Sequence, residues 1–310
     1  KIFKKNEKYY RVLGEGDVEG VGMILLYEST DLKNWTYKNR ITTPQKFGYM
    51  WECPDLFEMD GQLYIICCPQ GVETKGIDYE NVHQVTAMKL DYDFDTDEYE
   101  ITDIKLFDRG FDFYAPQSFE DESGRRILIG WMGIPDADYT NPTEEAGWQH
   151  ALTIPRELSV RDGKLIQEPI EELKQLRSED KAVCTFCYGQ TIIMQNAIYE
   201  AIVDFKRCRE MVMTLREGIT LSYKDNILTL NLGVYGSGRS TRKVRLEKLE
   251  HLQIFADTSS LEIFVNHGEE VFTTRIYNHY GRLLINGECS GIMTVYPLKS
   301  FEIEGGRHEE

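Results

Sequence analysis

Three stretches decide the fold: NEKYYRVLG at 6–14, MDGQLYIICC at 59–68 and ESGRRILIG at 122–130. Each sets a polar turn ahead of a short run rich in β-branched, aromatic and other apolar residues, which is how a hairpin strand reads. A second strand follows each one: GMILLYES at 22–29, VTAMKLDYD at 85–93 and ALTIPREL at 151–158. Tyr9, Leu63 and Ile127 mark equivalent points, 54 and then 64 residues apart. That spacing suits propeller blades of four antiparallel strands with long loops between them. A β-sandwich with coincidental spacing is the competing reading. Three units are fewer than a closed propeller needs, so the sequence is expected to carry the later blades of a longer chain. Its opening on Lys1, without a methionine, points the same way.

From Ala182 onward the rhythm changes. LSYKDNILTLNL (221–232) turns at Asp225-Asn226, SLEIFVNHGEEVFTTRIY (260–277) turns at Asn266-His267-Gly268, and RLLINGECSGIMTVYPL (282–298) supplies two more strands. Close alternation and short turns describe an antiparallel sandwich. Only EPIEELKQLR at 168–177 has helical spacing, with Pro169 near its first turn. The expected plan is all-β: a partial propeller over 1–167, a helical linker over 168–180 and a sandwich over 181–305.

A formal net charge of −17 argues against nucleic-acid or anionic-membrane partners, both of which need a positive footprint. No apolar run reaches transmembrane length. The seven cysteines form no recurring CxxC pair and have no histidine cluster beside them, so no metal is expected and reduced, mostly buried thiols in a cytoplasmic protein are. The acidic run DYDFDTDEYE (91–100) lacks the glycine and terminal glutamate of a calcium loop and reads as a solvated loop. GVYGSGRS (233–240) reads as a hairpin loop.

Two constellations carry chemistry. In YMWECPDLF (49–57) a carboxylate, Glu52, is flanked by Trp51 and Cys53, with Tyr49 close by. Poor hydration favours the neutral acid, and a carboxyl tuned in this way can donate a proton to a leaving group. Pro54 cannot donate to a ladder and is expected to end the strand there. A solvent-facing glutamate on an edge strand is the alternative. FDFYAPQSF (111–119) sets Asp112 and Tyr114 among phenylalanines, as carbohydrate sites set polar groups between aromatic faces; a strand with ordinary core aromatics is its alternative. Trp131 and Trp148 bracket a loop rich in Asp, Pro and Gly, and His150 is given no role.

These stretches together, with GWMGIPD (130–136), GWQHALTIPREL (147–158) and DTSSLEIFVNHGEEVFTTRIY (257–277), resemble glycoside hydrolase family 32 over nearly the whole chain. The nearest likeness is to its bacterial sucrose-6-phosphate hydrolases and invertases, the β-fructofuranosidases. The resemblance implies a five-bladed β-propeller followed by a β-sandwich, and retaining hydrolysis of a terminal β-fructofuranosyl bond by two carboxylates. It makes Glu52 the general acid/base, has Cys53 tune it, and places Trp51, Cys53, Asp112 and Tyr114 at or near the sugar. It also implies that no cofactor is needed and that the partner is a small sugar: sucrose, sucrose 6-phosphate or a fructo-oligosaccharide, with a homo-oligomer open. The family's nucleophile is an aspartate in an NDPNG-type motif, and no such motif occurs in the 310 residues. The chain alone is therefore expected to be inactive. A fructan hydrolase and a non-catalytic carbohydrate-binding relative are the rival readings. No phosphate pocket is legible, with Arg125, Arg126 and Arg156 the arginines near the expected site.

Overall fold

A computed structural model of the chain describes residues 1–189, 197–278 and 280–300. Residues 301–305 of the expected sandwich lie outside that range. Three four-stranded antiparallel meanders come first. The first holds β1 (Ile2–Lys5), β2 (Lys8–Gly16), β3 (Gly22–Ser29) and β4 (Thr36–Ile41). The second holds β5 (Met50–Met59), β6 (Gln62–Gln70), β7 (Thr86–Tyr92) and β8 (Tyr99–Leu106). The third holds β9 (Tyr114–Glu120), β10 (Arg126–Trp131), β11 (Arg156–Arg161) and β12 (Lys164–Pro169). Tyr9, Leu63 and Ile127 each fall second in the second strand of their sheet, so the spacing read from sequence is a blade repeat. In the third blade the second strand of the pair begins only at Arg156; Leu152 makes an isolated bridge to Trp131.

The blades stack through two apolar layers. Tyr10, Val12, Ile24, Leu26 and Trp51 lie between the first and second blades. Phe57, Tyr64, Ile66, Cys68, Tyr114 and Leu128 lie between the second and third. The first contact is close enough to need a glycine: a Cβ on Gly14 would stand 1.8 Å from the Trp51 carbonyl oxygen.

Among the described residues eleven further strands form the sandwich. One sheet runs in the order β13 (Ala182–Cys187), β23 (Cys289–Pro297), β14 (Tyr199–Cys208), β19 (His251–Asp257), β20 (Ser260–Val265), β21 (Glu270–Arg275). The other runs β18 (Thr241–Arg245), β17 (Ile227–Asn231), β16 (Ile219–Lys224), β15 (Met211–Arg216), β22 (Gly281–Asn286). Asp225 and Asn226 both take positive φ, 50° and 61°, as a two-residue turn matched to strand twist requires. The segment before β9 closes the open edge of β21, with Arg109 N and Asp112 N donating to the Val271 and Thr273 carbonyls at 2.7 and 3.1 Å. An edge strand that would otherwise offer unpaired groups is thereby covered.

Several expectations fail for identifiable reasons. Residues 168–177 are not an α-helix: Glu168 and Pro169 stay paired in β12, and only Glu171–Leu176 coil, as a 3-10 turn. Six residues cannot repay helix nucleation unless an apolar face packs, and here Leu173 alone reaches a buried cluster. The acidic run 91–100 is solvated as expected, with none of it buried: it forms the turn between β7 and β8, where the Asp93 carboxylate accepts from Asp95 N and Thr96 N. The cysteines are all free, but only Cys67, Cys68 and Cys289 are buried and Cys187 is exposed. Among the described residues no helix is long and apolar enough to cross a membrane.

Candidate active site

Glu52 is the third residue of β5, and the strand does not stop at Pro54. It continues to Met59 through a bulge, where the register slips between Glu52 and Asp55. A bulged position has no ladder bond to give, so proline fits there without loss. Cys53 takes the strained half of the bulge at φ 49°. Asp55 then pins β5 to the third blade: wholly buried, its Oδ2 accepts from Ser118 N at 2.6 Å and Ser118 Oγ at 2.7 Å.

The bulge decides which side chains share a face. Glu52 lies opposite Cys68 on the side of the third blade, and Trp51 turns the other way into the layer against the first. Trp51 has 0% exposure, and its indole Nε1 donates to the Phe47 carbonyl at 2.7 Å. This corrects the expectation that Trp51 contacts sugar: it is a packing residue with no surface to offer.

Glu52 is half-buried. Tyr114, at the start of β9, donates its hydroxyl to Glu52 Oε2 at 2.9 Å. Gln70, the last residue of β6, donates Nε2 to the same oxygen at 3.0 Å and lies 3.4 Å from the Tyr114 hydroxyl. Burial, together with the Glu52 charge, drives the Tyr114 phenol far above its ordinary pKa, so it stays a donor. Trp131 meets the Tyr114 ring edge-on at 6.4 Å and is held by His150, whose Nδ1 accepts from the indole at 3.0 Å. On the other flank His83 sits 6.3 Å from the Tyr114 ring and bonds Asp136 at 3.0 Å through Nε2. The aromatic surroundings of Glu52 thus come chiefly from β9 and β10.

Cys53 borders the site. Its thiol pKa is lowered because Cys68 hydrogen-bonds to it, while burial pushes the Cys67 thiol up to about 12. Proton-donating Cys68 and acceptor Cys53 form a soft, weakly polar floor beside the carboxylate.

Asp112 goes elsewhere. It is 0% exposed and lies where the third blade meets the sandwich. Its carboxylate accepts from Arg275 N at 2.8 Å, from Thr274 Oγ1 at 3.1 Å, and from Tyr139 and Arg239. The expectation that Asp112 binds sugar is corrected for that reason: its oxygens are buried and bonded to the chain's own donors. Arg156 is likewise a seam residue, wholly buried between Asp108 at 3.2 Å and Glu262 at 2.7 Å. Arg125 pairs with Asp121 and Glu172 across the surface. Arg126 lies over the Phe57 ring.

The structure therefore gathers Glu52, Tyr114 and Cys53 and separates them from Trp51 and Asp112. Sequence reasoning missed Gln70, His83 and Asp136. Gln70 left one clue, an amide ending the apolar run LYIICCP just before Gly71.

Comparison with known proteins fits this arrangement. The glycosyl hydrolases family 32 N-terminal domain matches residues 1–169, and the family's C-terminal domain matches 187–295. Sucrose-6-phosphate hydrolases of Staphylococcus xylosus and Bacillus subtilis are 35% and 34% identical over 98% and 94% of this chain. The chain covers 65% and 64% of their lengths, just under two thirds. Among solved structures, sucrose-6-phosphate hydrolase from Lactobacillus gasseri superposes with a TM-score of 0.86 at 27% identity, over 96% of this chain and 65% of its own. A Bombyx mori GH32 β-fructofuranosidase gives 0.83 at 29%, with the same coverage. With both domain models matched in order over three blades and a sandwich, the chain belongs to glycosyl hydrolase family 32.

Proposed function

We propose that the protein containing this chain hydrolyses the terminal β-fructofuranosyl bond of sucrose or sucrose 6-phosphate, with Glu52 as its general acid/base. The observation that carries the reading is a half-buried carboxylate with one oxygen held by two donors and the other, among the described residues, left open. The names of the bacterial relatives support the substrate class, as does a Bombyx mori GH32 enzyme variant solved with sucrose. A phosphorylated disaccharide would meet such an enzyme in the cytoplasm.

In the forward step the Glu52 acid protonates the glycosidic oxygen as the bond to the anomeric carbon breaks, and in the second step its carboxylate takes a proton from the attacking water. Tyr114 and Gln70 hold the carboxyl through both steps, and Cys53 with Cys68 limits the water around it. A retaining mechanism needs a second carboxylate about 5–5.5 Å away. Asp112 is spent at the seam, and the 310 residues contain no NDPNG-type motif, so we assign the nucleophile to another segment of the full protein and expect this chain alone to be inactive. The test is the initial rate of fructose release by the full-length protein from sucrose, sucrose 6-phosphate and inulin. We expect the two disaccharides to be cleaved faster than inulin. Release from inulin alone, or from none of the three, would overturn the reading.

A further inference from the structure

The mouth of the site contains an asymmetry that the acid/base role does not by itself require. Both donors that reach Glu52 reach one oxygen: Tyr114 Oη at 2.9 Å and Gln70 Nε2 at 3.0 Å, each to Oε2. Among the described residues nothing hydrogen-bonds Oε1, and Oε1 is not sealed from solvent. Gln70 also braces the tyrosine at 3.4 Å, so the three groups form a closed triangle. Its position is set by β6, whose last residue it is, and by the strand's own ladder: the Gln70 carbonyl accepts from Tyr49 N at 2.8 Å. The ladder thus holds the backbone of Gln70, and the bonds to Glu52 and Tyr114 hold its amide.

We propose that Gln70 is a positioning residue that fixes the proton of Glu52 on Oε1. This rests on the assignment of Glu52 as the acid/base and adds which of its oxygens works. An oxygen that already accepts two hydrogen bonds cannot carry a proton without breaking one of them, whereas Oε1 is free to do so. The amide also favours the ionised carboxylate, since a donor to the charged form stabilises that form.

The test uses the full-length protein with Gln70→Leu and with the isosteric Gln70→Glu, which keeps the shape but replaces the donor by an acceptor. Glu52 is titrated directly by carbon-13 NMR of labelled glutamate, its signal identified by its loss in Glu52→Gln, and kcat and KM are measured across pH. In Gln70→Leu the Glu52 midpoint should move up by about one unit, the worth of one hydrogen bond to a charged group, and in Gln70→Glu it should move further, because a second carboxyl then stands against Oε2. The basic limb of kcat should move with it, and kcat at neutral pH should fall several-fold while KM changes little. A Glu52 midpoint that stays put in the correctly folded Gln70→Leu protein would overturn the proposal, as would a loss carried by KM alone. The titration does not depend on turnover, so an active Glu52→Gln protein would sink the acid/base reading while leaving the Gln70 shift measurable on its own.

Discussion

Glu52 and Asp112 begin alike and end apart. Each is a carboxylate set among aromatics in a motif that carries the family likeness. Among the described residues nothing hydrogen-bonds one oxygen of Glu52, which lies at a half-buried mouth. Asp112 is closed into the seam by two arginine residues, a threonine and a tyrosine. Surroundings rich in aromatics are common to both, so what sets the proposed acid/base apart is its unspent lone pair. A buried charge can persist only where donors saturate it, and that same saturation removes it from chemistry.

The seam extends this logic. Arg156 contributes hydrogen bonds to Asp108, Glu262, Gln167 and Thr273, and its guanidinium lies 4.8 Å from the Phe113 ring centre. Burial pushes both Asp108 and Glu262 up in pKa, against the pull of Arg156. Arg156→Met would strand those two carboxyls, and the largest effect we expect on stability is here: about 3–5 kcal/mol lost from the seam, read as an earlier midpoint in urea unfolding. A loss under about 1 kcal/mol would mean the seam is not built on charge, and the contrast with the mouth would fail.

A smaller effect should appear on acidification. The turn at 266–268 docks on the third blade, with Gln167 N donating to the Gly268 carbonyl at 3.1 Å. Beside it the His267 ring stacks on His251 at 3.9 Å, with Asp204 bonded to His251 and Glu168 and Arg161 also acting on His267. Burial first, and then the neighbouring His251, hold the His267 pKa below its ordinary value. A depressed histidine favours the neutral form in the fold. Its contribution is therefore complete above the ordinary histidine pKa and is lost as pH falls through the depressed one. Melting temperature followed from pH 8 to 5 should drop more steeply for the wild type than for His267→Phe. Parallel curves would remove this histidine from the account of the seam.

Much of the fold is written locally. Blade strands and sandwich hairpins were legible because turn residues and alternation lie within ten or so neighbours, as at Asp60-Gly61 or Asp225-Asn226. The linker misled because Pro169, good at a helix start, is equally good at the end of an edge strand. Glu52 and Tyr114 could be singled out because each lies in a distinctive short motif. The seam could not, since Asp112 and Arg239 are 127 residues apart and Arg156 and Glu262 are 106 apart. No local signal reports a partner at that distance. Trp51 was misplaced for a subtler reason: a one-residue bulge sets which face it shares, and the proline that enables the bulge reads as a stop.

On the proposed assignment the mouth carboxylate serves chemistry and the seam carboxylate serves structure. The direct measurement is kcat together with the unfolding midpoint for Glu52→Gln and Asp112→Asn in the full-length protein. Glu52→Gln should lower kcat by about 10²–10⁴-fold, the share of a general acid/base, with the midpoint unmoved. Asp112→Asn should keep kcat within a few-fold and cost about 1–3 kcal/mol of stability, as expected when buried donors lose a charged acceptor. An active Glu52→Gln protein, or a stable Asp112→Asn protein that has lost its turnover, would contradict the account.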